Sequence, residues 1–368
     1  MLRVLSWAGA WVSSTWLTPG TTVQVPSYAA PVLHGIARVL AGSWLRADAL
    51  WYLRIAHAGY AGDTRTFAFL PLFPELVRPV SWVLGGRDLY AALVVASVAC
   101  ALGFVWLYRF FDLVAGPAIA RAAVVGLAVY PASFFLLAPY GEPLLLAAGA
   151  GALLAAARGR PGLAALAGAL AALSRPFGIL IALPLLGFAI NHRREWRWWV
   201  APMGPAIGFA AWLLWSGHQL GNLLGAIKIQ SVWQRTTSLP WATVDAGVRA
   251  WWQWRGTAYG PYFLIDLLAT LLGILLIVAT VVVLTRHRRD PWLTGGLAAY
   301  GVLVLAAPLS SPFPGRPLMS VPRFLLALFP LFAGCAIARP RWMIPVAVVS
   351  AGGLVWLTAL YVGARPIF

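Results

Sequence analysis

Charge is scarce in this sequence: only 10% of its 368 residues are charged, where soluble chains carry about a quarter. Acidic residues are scarcer still, with 10 Asp and Glu against 27 Lys and Arg, a formal net charge of +17. Two cysteines, Cys100 and Cys335, both lie inside apolar runs, so no disulfide framework or metal cluster is legible. The shortage of charge excludes an ordinary soluble domain. The arginines are dispersed between apolar segments instead of gathered on a basic face, which argues against nucleic acid as partner. Internal repeats and low-complexity tracts are also absent, and residues 1–368 read as a single integral membrane domain.

What is present is apolar: 61% of residues are hydrophobic, mean hydropathy is +0.81, and there are 20 Trp and 27 Pro. Apolar runs recur that can cross a hydrocarbon core about 30 Å thick, which takes roughly 20 residues of helix. Lipid offers the backbone no hydrogen-bond partners, and runs this long exclude barrel strands. The expectation is an all-α polytopic membrane protein of about 11 transmembrane helices (range about 8–12). They fall at about 2–17, 89–111, 119–138, 143–157, 162–174, 177–190, 197–215, 261–285, 292–308, 322–338 and 342–362. The first has the length of a signal peptide, but its tryptophans and the TPGTTVQVP that follows read as a short span.

Short basic connectors at 158–160, 191–197, 286–290 and 338–341 fall on one side if 162–190 is a pair of short helices turning near Ser174-Arg175-Pro176. By the positive-inside rule that side is the cytoplasm and the chain is a multi-pass protein of the plasma membrane. A large first loop, 18–88, a second, 216–260, and a shorter 309–321 then face outward. They hold about as many basic residues as the inner side, which orientation leaves unexplained and an anionic ligand would account for. Trp251, Trp252 and Trp254 in the second outer loop read either as an interfacial aromatic belt or as a sugar-stacking surface.

The polar residues are few enough to take one by one. In RADALWYLRIAHAGY, Asp48 and Tyr52 share a helix face, with Trp44, Trp51 and Ile55 spaced as an apolar stripe beside it. An amphipathic helix lying at the outer surface fits, with Asp48 either a general base or the ion-pair partner of Arg46 or Arg54. In FAFLPLFPELVRP, Pro71 and Pro74 break the run at 67–79, which reads as a re-entrant loop. Glu142 stands at the outer end of a span, and Arg175 lies alone between two short apolar helices, which is costly unless it is paired or faces a polar cavity. Gln230, Trp233 and Arg235 sit in the second outer loop, and Arg316 and Arg323 at the outer mouth of a late span. Guanidinium forks suit phosphate oxygens, and interfacial anchoring is the other role open to them.

Together these segments resemble the PIG-V-like mannosyltransferases, polytopic lipid-phosphosugar-dependent enzymes of the GT-C class. The family's opening block is similar to Asp48-Ala49, Trp51-Tyr52, Ile55-Ala56 and Gly59-Tyr60, and its aromatic-proline stretch to Ala68–Pro74. Later blocks resemble Pro131-Ala132-Ser133, Tyr140-Gly141-Glu142, Ser174-Arg175-Pro176, Gln230 with Trp233 and Arg235, and Pro322-Arg323-Phe324. The blocks occur in the family's order over residues 46–324, with Ala47, Tyr130 and Gly141 standing where the family usually has Trp, Asn and Ser. The resemblance implies a GT-C fold with its active site on the non-cytoplasmic face and a polyprenyl-phosphate sugar, mannose by analogy, as donor. It implies that Asp48 deprotonates an acceptor hydroxyl on a lipid-linked glycan or protein, with inversion at C1, and that Glu142 assists. It further implies that Arg323, Arg175 and Arg235 hold the donor phosphate, and that Tyr52, Tyr60, Tyr140, Gln230 and Trp233 bind substrate. No cofactor is expected on this scheme, and a divalent metal is neither required nor ruled out. A flippase for a lipid-linked sugar and a non-catalytic subunit of the same fold are the competing readings; the first would show related halves, which this sequence lacks.

Overall fold

A computed structural model describes residues 1–17, 24–233, 235–287 and 290–365, and the side chains of Gln230, Trp233 and Pro340 lie outside the description. The described residues form helices joined by turns and 3-10 segments, with no strand beyond one isolated bridge between Phe313 and Arg316. In chain order the α-helices are α1 (Leu2–Trp16), α2 (Gly35–Leu40), α3 (Asp48–Ala58), α4 (Leu72–Val83), α5 (Asp88–Ala115) and α6 (Pro117–Val129). Then come α7 (Glu142–Ala157), α8 (Pro161–Ser174), α9 (Ala182–Asn191), α10 (Val200–Leu220), α11 (Gly225–Lys228) and α12 (Pro240–Trp254). The last four are α13 (Gly260–Arg286), α14 (Pro291–Leu309), α15 (Val321–Phe324) and α16 (Pro340–Val362).

Each of the eleven expected spans coincides with helix, but among the described residues four segments are long and apolar enough to cross a membrane. These are Asp88–Ala115, Gly260–Arg286, Pro291–Leu309 and Arg341–Val362. Several of the shorter ones are cut by proline, which lacks the N–H that a continuing helix needs. The run expected at 119–138 stops at Val129 before Pro131 and resumes as a 3-10 segment, Ser133–Leu136. Likewise Pro176 turns the chain into a 3-10 segment, Pro176–Ile181, that leads into α9, and the segment after α15 is 3-10 over Leu325–Ile337, with Pro330 inside it. The outward faces of the long helices carry exposed Val98, Leu102, Leu268, Leu271, Leu275, Val278, Val346 and Val349. A continuous apolar exterior on helices of this length is the surface of a membrane-embedded protein.

Helix α7, EPLLLAAGAGALLAAA, is apolar around its whole circumference and is buried almost throughout, as a central bundle helix must be. Small residues let its neighbours approach. A Cβ at Gly204 of α10 would stand 2.0 Å from the Ala165 carbonyl oxygen, and one at Gly208 would stand 2.6 Å from that of Ala169. Glycine is therefore required at the α8–α10 crossing, the close-packing device common among membrane helices.

Two expectations about the first outer loop change. Residues 67–79 are not a re-entrant loop: α4 begins at Leu72 with Pro71 as its N-cap, and Pro74 falls in the first turn, where the missing N–H has no intrahelical partner to lose. Nor is α3 an amphipathic helix at the surface. Every residue from Ala49 to Ala56 is buried, including Arg54, whose Nη1 and Nη2 donate to the carbonyls of Gly59 and Ala61 at 2.9 and 2.8 Å. Exposed tryptophans occur on many elements, among them Trp82 on α4 and, on α12, Trp241 and Trp252, with Arg255 stacked on Trp252 at 3.5 Å.

Loop 310–320 is fastened by a buried ion pair. Arg316 Nε and Nη2 donate to Asp266 of α13 at 2.6 and 2.9 Å, and Nη2 also reaches the Tyr262 carbonyl at 3.3 Å. Removing one partner of such a pair strands a buried charge, which costs about 3–5 kcal/mol, more than the pair contributes net. Thermal unfolding in detergent should therefore show a large loss for Arg316→Ala and a smaller one for the double variant Asp266→Asn/Arg316→Gln. Equal losses would show that the pair does not anchor the loop.

Candidate active site

Six of the polar residues singled out in sequence converge on one cavity of about 500 Å³. Asp48 of α3, Tyr52, Tyr140, Arg175, Arg235 and Arg323 all line it, together with Arg46, Tyr361 and Arg365. The elements arrive from opposite parts of the chain. Glu142 starts α7, Arg175 follows the last residue of α8, Pro308 ends α14, Arg323 lies in α15 and Tyr361 closes α16. Each of these helices, with the segment running on from α15, has one of the basic connectors 158–160, 286–290 or 338–341 at its other end. The cavity is therefore at the end of the bundle away from the basic connectors.

Asp48 pairs with neither Arg46 nor Arg54. Its Oδ2 accepts from Arg323 Nη1 at 2.7 Å, across 275 positions of sequence. The same guanidinium donates from Nε to Glu142 Oε1 at 2.5 Å, and Arg175 Nη2 stands 3.2 Å from that oxygen. Two carboxylates and two guanidiniums thus form one chain, Asp48–Arg323–Glu142–Arg175, with no net charge. The Arg323 guanidinium carbon also lies over the rings of Tyr140 at 4.4 Å and Phe135 at 5.1 Å, a cation–π contact. Within the chain Asp48 is the open member, with 28% of its side chain accessible against 9% for Arg323 and 5% for Glu142. Glu142 does not line the cavity, and its Oε2, like Arg323 Nη2, is buried without a hydrogen-bond partner.

Backbone strain aims Asp48. Ala47, the residue before it, has φ 45° and ψ −124°, a region that L-residues rarely adopt. The surroundings hold it there: the Arg46 carbonyl accepts from the Ala49 N–H at 3.0 Å and from the hydroxyls of Tyr140 and Tyr361 at 3.2 and 3.3 Å, while Arg46 Nε donates to the Val362 carbonyl at 3.1 Å. Ser320, three residues before Arg323, is left-handed too, at φ 72°. The two charged groups that meet at 2.7 Å are therefore each preceded by an unusual backbone turn.

The departures from the family pattern lie beside this network. A Cβ at Gly141 would stand 2.5 Å from the Ser174 carbonyl, 2.9 Å from Arg175 Cδ and 3.1 Å from the Tyr52 hydroxyl, so the Glu142–Arg175 approach depends on glycine. Tyr130 donates to the Pro322 carbonyl at 2.7 Å and so ties the start of α15, one residue before Arg323, to the end of α6.

The remaining assignments separate by place. Tyr52 is fully buried and accepts a hydrogen bond from Arg175, and burial raises its phenol above the usual value. Arg235 donates to the carbonyls of Ser311 at 2.7 Å and Met319 at 3.4 Å, and lies over the Phe324 ring. Burial first, then the nearby Arg323, lowers its pKa. Tyr60 does not line the cavity: its hydroxyl donates to the Phe69 carbonyl at 3.0 Å and its ring packs among Phe67, Trp212 and Trp215. The side chains of Gln230 and Trp233 lie outside the described residues. Sequence reasoning missed Tyr361 and Phe135 and gave Arg46 no role beyond an ion pair with Asp48; the Tyr361 and Arg365 polar groups at the end of an otherwise apolar run were the one hint. Among the described residues no group of three or more His, Cys, Asp and Glu is placed to hold a metal ion.

Two substitutions test this geometry. Ala47→Gly, which relieves positive φ at the cost of added chain entropy, should raise thermal stability by about 1 kcal/mol. Gly141→Ala should lower it by about 1–3 kcal/mol, because backbone and Arg175 must move to admit the methyl group. Opposite signs in a thermal melt of the two variants check both, and a stabilising Gly141→Ala would refute the close approach.

Comparison with known proteins adds the following. No family model matches the chain, and no curated protein matches it. Among solved structures it is similar to the archaeal oligosaccharyltransferase AglB from Archaeoglobus fulgidus in complex with an inhibitory peptide and a dolichol-phosphate, at 12% identity and a TM-score of 0.43. It is similar, at 11% identity and a TM-score of 0.44, to the Archaeoglobus fulgidus oligosaccharyltransferase tethered with an acceptor peptide containing the NVT sequon. A third structure, the same organism's oligosaccharyltransferase with Zn and sulfate, gives 13% identity and a TM-score of 0.43. The match covers 100% of this chain but only 53–56% of those chains, so this chain spans about half their length. A likeness this distant carries no residue correspondence, and the chemistry rests on the site itself.

Proposed function

We propose that the chain is a GT-C-type membrane glycosyltransferase that moves a hexosyl residue, mannosyl in the reading that fits the motifs best, from a polyprenyl-phosphate donor to an acceptor hydroxyl. The observation that carries this is the Asp48–Arg323 pair: an accessible carboxylate held 2.7 Å from a buried guanidinium on the wall of one cavity. A carboxylate supplies a base, and a guanidinium supplies a preorganised receptor for leaving phosphate.

The step divides between the two. Asp48 takes the proton from the acceptor hydroxyl as its oxygen forms a bond to C1 on the face opposite the phosphate. The C1–O bond breaks, its electron pair stays on the polyprenyl phosphate, and configuration at C1 inverts. Arg235 and Arg365 add positive charge to a cavity whose inner network is already neutral, and that surplus favours an incoming anion. Donor phosphate and Asp48 compete for Arg323 Nη1, so arrival of the donor frees the carboxylate to act as base. In this scheme Glu142 is a positioning residue: it lies behind the guanidiniums and holds Arg323 and Arg175 at their spacing. The unpartnered Arg323 Nη2 and Glu142 Oε2 are costs that a ligand-bound rearrangement would reduce.

The position of the cavity at the end of the bundle away from the basic connectors supports an extracytoplasmic active site in the plasma membrane. A lipid-linked glycan or protein at that surface supplies the acceptor.

The test is transfer from labelled polyprenyl-phosphate mannose by the purified full-length chain, with and without chelator. Asp48→Asn should lower turnover by about 10²- to 10⁴-fold with donor binding retained. Undiminished turnover in that variant would remove Asp48 as the base. Arg235→Gln should act mainly through weaker donor binding, seen as a raised KM, and a pure turnover effect would argue against its role at the phosphate. Loss of transfer with chelator would refute only the metal-free form of the scheme.

A further inference from the structure

A second cavity of about 460 Å³ lies against the first, between α2, the turn at 42–46 and the strap formed by residues 24–33. Arg46 lines both. Arg38 faces the second cavity with it, and the polar lining is completed by Gln24 and Tyr28, with no carboxylate among the lining residues. The absence of acid is what makes the pair informative. Arg323 and Arg316 are each paired with carboxylates, and Arg175 lies beside one. Arg38 is solvent-exposed and has no hydrogen-bond or ion-pair partner for its guanidinium among the described residues, where Arg46 donates only to the carbonyls of Val362 and Leu45. The two guanidiniums are close enough that Arg38 is one of the influences lowering the Arg46 pKa, after burial. Like charges brought together beside a cavity are destabilising until an anion joins them.

We infer that the Arg38–Arg46 cavity is a second phosphoryl-binding site, separate from the donor phosphate position at Arg323. Two guanidiniums with free N–H groups match the several oxygens of a phosphomonoester or phosphodiester. The cavity has the volume of a headgroup-sized ligand. Arg46 is two residues from Asp48, so a molecule anchored there by its phosphate has its adjoining hydroxyls beside the reaction cavity. The phosphate belongs either to a soluble phosphoester or to the headgroup of an anionic phospholipid. Only the use to which the bound molecule is put rests on the transferase reading; the binding does not.

The experiment titrates the full-length chain, in neutral detergent, with dioctanoyl phosphatidylglycerol, read by native mass spectrometry. Dioctanoylglycerol serves as the phosphate-free control and sn-glycerol 3-phosphate as competitor. Arg38→Gln is the main variant, since that guanidinium makes no hydrogen bond or ion pair among the described residues, and Arg235→Gln marks the reaction cavity. Arg38→Gln should weaken phosphatidylglycerol binding about tenfold, the effect of one charge-assisted hydrogen bond, while Arg235→Gln leaves it within about twofold. Displacement by glycerol 3-phosphate would support a site for soluble phosphoesters, and resistance to it would support a lipid headgroup. Equal binding by Arg38→Gln and wild type, equal weakening by Arg235→Gln, or equal affinity for dioctanoylglycerol would each overturn the inference. A silent transfer assay with intact Arg38-dependent binding would sink the transferase reading and leave this site standing.

Discussion

One guanidinium organises the site. Arg323 is buried, and burying a charge is tolerable only when it is paired and hydrogen-bonded. Its partners, Asp48 and Glu142, come from helices that begin 94 positions apart, and it is itself 181 positions beyond the nearer of them. Contact with the Tyr140 and Phe135 rings holds the fork, so that Nε meets Glu142 and Nη1 meets Asp48. The α3, α7 and α15 segments are therefore held in one relative position by electrostatics inside a largely apolar bundle.

That constraint explains features that otherwise look like isolated oddities. Ala47 and Ser320 adopt positive φ because the chain must turn sharply to deliver Asp48 and Arg323 to the same point. Gly141 is needed because Glu142 and Arg175 approach over the Ser174 backbone with no room for a methyl group. Tyr130 reaches from α6 to the Pro322 carbonyl and steadies the segment that carries the guanidinium. Local strain at these positions is sustained by the network, while the Asp266–Arg316 pair does a purely mechanical task one loop away.

The charge pattern also divides in two. In the first cavity the carboxylates and arginines of the network balance, whereas no carboxylate lines the adjoining cavity with Arg38 and Arg46. A chain with 27 basic and 10 acidic residues cannot neutralise every arginine internally. Where the imbalance falls beside a cavity, it is a specification for an anionic ligand rather than a membrane anchor.

The sequence alone determined that this is a polytopic helical membrane protein, because length and hydropathy of the runs follow directly from residue identity. It also marked Asp48, Arg175, Arg235 and Arg323 as residues to explain, since ionisable groups among so many apolar ones are costly wherever they sit. Tertiary structure decided how they are paired: the spacing of Arg46, Asp48 and Arg54 invited a local ion pair, yet Asp48 found its partner 275 residues away. It decided that α3 is buried, that the proline-rich stretch begins a helix, that Tyr60 packs instead of lining the cavity, and that Tyr361 belongs to the site. The physical reason is the same in each case. Periodicity and propensity report on neighbours within a turn or two of helix, while a buried charge selects its partner by which helices pack together, and that is set by side-chain volumes distributed over the whole chain.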